Sequence, residues 1–165
     1  RSDFGDILIN GGSKNLIQNN IFIKGAHTLW IENGGGDLPP EQMKERIKSW
    51  RWEVRLLNEI NIQSYIWKAV YPELVDFFER ENFMLQENSF INNLIVEEEL
   101  IISKHNIDTS VFKFYKGNYI TEEDPGFVNM DSEDFRLKET SVIFDINPEF
   151  EPLPFQDFGL LNRDN

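Results

Sequence analysis

The chain has 165 residues, no cysteine and a formal net charge of −13 at neutral pH. Disulfides, thiolate metal sites and a cysteine nucleophile are excluded. Nucleic acid and anionic membrane surfaces are poor partners for so acidic a chain, because phosphate binding rests on clustered Lys and Arg.

Asp6 to Asn33 reads as short strands. Ile7-Leu8-Ile9 is apolar, and Asn10-Gly11-Gly12-Ser13 has turn chemistry. Leu16-Ile17 and Ile21-Phe22-Ile23 follow, split by Asn19-Asn20. In Leu29-Trp30-Ile31-Glu32, alternation turns Leu29 and Ile31 inward and Trp30 and Glu32 outward. A hairpin turning at Asn10-Gly11 is the alternative to coiled strands. Gly34-Gly35-Gly36-Asp37 ends this stretch. It lacks the Lys and Ser/Thr of a phosphate loop and reads as a turn. Pro39 and Pro40 suit the first turn of a helix capped by Asp37. Met43, Ile47, Trp50, Val54 and Leu57 form one apolar stripe, which predicts a core position for Trp50. Tyr65 to Val70 is a second helical piece, ended by Pro72, and Leu74 to Phe78 is a third. Strands return from Phe83 to Ser103 and from Asp108 to Ile120. From Thr121 the chain is rich in Glu, Asp, Pro and Phe. It is expected to be an irregular tail, anchored by Phe127, Phe135, Leu137, Phe144, Phe150, Phe155 and Phe158, that covers the open edge of the last coil.

A repeat organises these elements. Asn15-Leu-Ile-Gln-Asn-Asn-Ile-Phe-Ile23 returns as Asn88-Ser-Phe-Ile-Asn-Asn-Leu-Ile-Val96, with Asn20 and Asn93 73 positions apart. Gly117-Asn118-Tyr119-Ile120 echoes it 25 positions later. Paired Asn before a strand-sized β-branched run, recurring at coil length, is the signature of a parallel β-solenoid. Asn19, Asn20, Asn92 and Asn93 then form stacked ladders at the bends, where Asn tolerates unusual backbone angles. The expected organisation is a single mainly β segment. Coils occupy 1–38 and 82–120, a helical insertion 39–81, and a capping tail 121–165.

The tail resembles a known family. Asp124-Pro125-Gly126-Phe127-Val128, Asp134-Phe135-Arg136-Leu137-Lys138 and Ser141 are similar to the closing segment of right-handed parallel β-helix proteins of the glycan-active type. Pro154-Phe155 with Phe158-Gly159-Leu160, Asn19 to Ile23, and Tyr71-Pro72-Glu73-Leu74 resemble further motifs of that family. The resemblance implies a right-handed parallel β-helix and a role as the C-terminal part of a glycoside hydrolase or polysaccharide lyase-like protein. It also implies an extracellular or periplasmic location and a carbohydrate ligand. No cofactor is implied. A non-catalytic scaffold, or a capping segment that binds glycan or protein, is the alternative. In the family's strand motif Trp30 stands where His is usual, Glu32 where Asp is, and Gly34 where Arg is. Val142 replaces the Pro that follows Ser141.

Glycoside hydrolysis needs two facing carboxyl groups. Glu32 as acid or base, with Asp37 as partner, is the candidate catalytic pair; the bland alternative is a solvated strand residue and a helix cap. Trp30, Asn33, Trp52 and His27 are the candidate substrate contacts, since aromatic faces offer apolar area to sugar rings. No metal is expected: His27 and His105 are the only histidines, and Glu97-Glu98-Glu99 reads as a charged solvent corner. The chain starts at Arg1 with no Met and no signal-peptide pattern, and Arg1 reads as a processing or cloning boundary. Because a coil cannot bury its apolar face alone, upstream coils are expected, or self-association through the N-terminal face.

Overall fold

The structure is a computed structural model that describes residues 5–34, 38–79, 87–103 and 112–157. The chain divides into two compact units: 1–9, 13–32 and 86–165 form one, and 10–12 with 33–85 form the other.

The first unit is mainly β. Its first strands are β1 (Ile7–Asn10), β2 (Leu16–Gln18), β3 (Ile21–Ile23) and β4 (His27–Glu32). Next come β5 (Asn88–Ile91), β6 (Leu94–Val96) and β7 (Glu99–Ser103). Then follow β8 (Phe112–Lys116) and β9 (Tyr119–Thr121). They form three three-stranded sheets, ordered β1-β4-β7, β2-β5-β8 and β3-β6-β9. The pairs β2/β5, β3/β6, β4/β7, β5/β8 and β6/β9 are all parallel. The Asn10-Gly11 hairpin does not form, because β1 lies beside β4 rather than β2.

Register stacks like on like. Ile17, Phe90 and Tyr115 make one inner column, and Phe22, Ile95 and Ile120 another. Phe22 stacks on Phe90, and Phe90 on Tyr115, with ring centroids 6.3 and 6.0 Å apart. Leu29 and Ile31 are fully buried, as alternation along β4 predicts.

The corners depend on left-handed residues. Asn19, Asn92 and Gly117 turn each β2-type strand into its β3-type neighbour at φ of 57°, 54° and 65°. Lys24 and Glu97 do the same at the next corner. Asn and Gly adopt this region at least cost. Beside the first corner runs a side-chain ladder. Asn20 donates from its backbone N–H and its Nδ2 to Asn93 Oδ1, both at 3.0 Å. Asn93 repeats both bonds to Asn118 Oδ1 at 3.0 Å. The ladder is therefore carried by the second Asn of each doublet, while the first supplies the turn. A shorter ladder joins Asn15 to Asn88.

The tail is more regular than its composition predicts. Strands β10 (Phe127–Asn129) and β11 (Asp134–Leu137) pair antiparallel, and helix α3 spans Val142–Ile146. Its described part packs on the sheets. Phe127, Ile143 and Phe150 pack with Leu94 and Val96, which lie on the face of β6 opposite Ile95. At the end of the inner columns, Tyr115 and Ile120 remain 37% and 47% exposed. Outward apolar residues on β6 draw this part of the tail onto the side of the sheet. Phe158 lies outside the described residues. At the other end Ile17 and Phe22 are buried.

The second unit is helical. Helix α1 spans Pro40–Ser49 and buries Met43 and Ile47. Its N-cap is Pro39, not Asp37, with no side-chain cap bond. Arg51, at φ 58°, breaks the predicted stripe. The chain resumes as a π-helix over Val54–Glu59, then α2 (Tyr65–Val70) and 3₁₀ turns at Pro72–Leu74 and Phe77–Glu79. The break leaves Trp50 40% exposed rather than in the core.

Candidate functional site

Two groupings on β4 carry chemistry. The first is Trp30 with Glu32. Both sit on the outward parity of the strand, half-buried, while Leu29 and Ile31 fill the core. The Trp30 indole Nε1 donates to Glu32 Oε1 at 2.7 Å. That bond fixes the ring against the carboxylate, so an aromatic face and an anionic acceptor are presented together with little rotamer freedom left to lose.

The second grouping was not anticipated. Glu98 is buried, whereas Glu97 and Glu99 on either side are exposed. Its carboxyl group accepts from Gly25 N–H at 2.7 Å and from the Thr28 hydroxyl. Burial pushes the Glu98 pKa up, opposed by the bonds from Thr28 and Gly25; Asp6 adds repulsion and His27 opposes it. His27 Nδ1 lies 3.3 Å from Glu99 Oε2, without the alignment of a hydrogen bond. An open cavity of about 670 Å³ lies against His27, Glu98, Leu100, Ile120 and Glu122. The solvent-corner reading of Glu97 to Glu99 is therefore right for the outer two and wrong for Glu98. One signal was present in the sequence: the register that aligns Asn20 with Asn93 also sets Gly25 opposite Glu98, 73 positions on.

The other expected contacts scatter. Trp52 lies in the helical unit, its ring 5.1 Å from Trp50 and 5.7 Å from Phe77. It is half-buried in an aromatic cluster, in a different unit from the β4 residues. Asn33 is buried at 4% exposure, a position suited to structure rather than to contact with a substrate. Asp37 lies outside the described residues, as does His105. Among the described residues no group of three or more His, Asp or Glu is arranged to hold a metal ion, and no helix is long and apolar enough to cross a membrane.

The motifs behind the resemblance have local structural work. Asp124 Oδ1 accepts from the backbone of Gly126 and Phe127, both at 2.8 Å. The Ser141 hydroxyl donates to Pro125 O at 2.6 Å and packs where Gly126, at φ 108°, leaves room. Asp134 accepts two bonds from Arg136 in an exposed fork. No family model, curated protein or solved structure matches the chain.

Proposed function

We propose that the chain is the C-terminal part of a right-handed parallel β-helix that engages a carbohydrate along the outward face of β4, in an exported glycan-active protein. The observation that carries this reading is the 2.7 Å bond from the Trp30 indole to Glu32. A pyranose ring lays its C–H face on an indole, and its hydroxyl groups need a nearby acceptor. The Trp30–Glu32 pair offers both on one rigid strand. His27 shares the parity of Leu29 and Ile31 and lies off this face. The three parallel sheets and the continuous Asn20–Asn93–Asn118 ladder support the β-helix reading, since each coil repeats the bonds of the one before.

Glu32 is the group on this surface able to move a proton to or from a glycosidic oxygen or a ring carbon. That chemistry is the proposed activity, whether hydrolysis or elimination. The second reading, a non-catalytic binding scaffold, is favoured by the bond that engages Glu32 Oε1 with the indole. The test is tryptophan fluorescence and calorimetry with neutral and amino-sugar oligosaccharides, followed by assay for cleavage. Glycan binding lost in W30A supports the surface. Cleavage lost in E32Q with binding kept makes the protein an enzyme. Binding that is indifferent to both substitutions removes the proposal.

A further inference from the structure

Gly25 sits between two carboxyl groups. A Cβ placed on it would lie 2.7 Å from Glu98 Oε2 and 2.9 Å from each oxygen of Asp6. A side chain at this position would press on both acids, so the site favours glycine. The three residues belong to three successive layers. Asp6 leads into β1 and donates its backbone N–H to His27 O at 2.9 Å. Gly25 precedes β4, and Glu98 precedes β7 in the same sheet.

We infer that Glu98, facing Asp6 across Gly25, forms a proton-operated latch, closed when the Glu98 carboxyl group is protonated and loosened when it is ionised. The charged groups around Glu98 admit this. Asp6 faces it from the segment before β1, and His27 from β4. Glu97 and Glu99 flank it on its own turn, and Glu122 comes from the segment after β9. Lys24, the nearby cation, is engaged with Glu97 at 3.5 Å. Burial of Glu98 is the main cost of ionising it, and Asp6 across Gly25 adds repulsion that His27 opposes. The proton comes from solvent through the cavity beside Glu98. The contribution is complete below the ordinary glutamate value of 4.5 and is lost as pH rises through the raised value in the folded chain. The latch thus tightens on mild acidification, the reverse of ordinary acid unfolding.

The experiment follows the Gly25 amide resonance and the thermal midpoint of the whole chain from about pH 8 to about pH 5. Wild type, E98Q, D6N and H27Q are compared. The Gly25 amide, bonded to the carboxyl group itself, should shift with a midpoint above that of an ordinary glutamate, and the melting temperature should rise in step. H27Q should keep the transition and D6N should move it to lower pH. E98Q should abolish it and melt above wild type at the alkaline end. An amide shift that is flat in wild type, that survives in E98Q, or that vanishes in H27Q overturns the latch. If E98Q does not fold, wild type, D6N and H27Q decide the matter.

Discussion

Asn19 and Glu151, 132 positions apart, exchange two hydrogen bonds: Asn19 Nδ2 donates to Glu151 O at 2.8 Å, and Glu151 N–H donates to Asn19 Oδ1 at 2.7 Å. The side-chain amide acts as a peptide group and pairs with the tail as a strand would. Lower on the same corner, Asn92 Nδ2 donates to Glu149 O at 3.4 Å and Asn147 Nδ2 donates to Gly117 O at 2.7 Å. Tail residues 147, 149 and 151 therefore climb the left-handed corner one layer at a time. The doublet that turns the chain also fastens its end.

Substitution at Asn19 separates these two roles. N19G keeps the positive φ and loses both bonds to Glu151, at a cost of about 1–2 kcal/mol. N19A loses the bonds and also forces a β-carbon into the left-handed region, adding about 1 kcal/mol. Denaturant unfolding should rank wild type above N19G and N19G above N19A. Equal stability of the two variants would mean that the turn costs alanine nothing.

Asn93 is fully buried at the centre of the ladder. It accepts two bonds from Asn20 and donates to Asn118 Oδ1 and to Ile17 O at 3.2 Å. N93A strands buried donors and acceptors above and below it, for an expected loss of about 3–5 kcal/mol. N20A, at the end of the row, should cost less than half as much. Chemical denaturation of the two variants checks the ordering, and equal losses would show that the ladder is not cooperative.

Why some of this was legible and some not follows from range. The paired Asn before β-branched runs predicts both corner and ladder because one strand layer's chemistry repeats in the next. The alternation at Leu29, Trp30, Ile31 and Glu32 predicts the faces of β4 for the same local reason. Glu98 reads as a surface charge until Gly25 and Thr28, some seventy positions earlier, are brought against it. Burial of that carboxylate is a property of two paired strand layers, not of one segment. Trp50 was misread because the period of the apolar stripe continues through Arg51 while the backbone does not. The placing of the tail depends on longer range still. Its phenylalanines announce that it is anchored, but whether they meet the end or the side of the stack depends on which face of β6 is left apolar.

Asp124 predicts an acid-dependent loss. Its carboxylate accepts from Phe127 N–H and Gly126 N–H, which hold its pKa below the ordinary 3.8. Stability from this group is complete above 3.8 and drains as pH falls through the folded value. D124N keeps an acceptor oxygen but not the charge. It should melt slightly below wild type at neutral pH, with the gap closing under strong acid. Because Asp124 is exposed, solvent screening keeps the gap small. Thermal unfolding at neutral and acid pH measures it, and a gap that widens in acid would contradict the assignment.

Gly117 tests how tightly the last corner is built. Its φ is 65°, and an added Cβ would overlap Asn92 Oδ1 and sit 3.2 Å from Asn147 Nδ2. Asn92 is buried, so its amide has little room to withdraw. G117A therefore meets a strained backbone and a steric clash together, with an expected cost of about 2–4 kcal/mol. The damage should also reach the tail, since Asn147 holds Gly117 O. Proteolysis in the 147–157 stretch should quicken in G117A before global unfolding begins. In a double variant, N92G should recover much of the loss, because it clears the overlap and keeps the left-handed turn. A cost for G117A that N92G leaves unchanged would assign the loss to backbone strain alone.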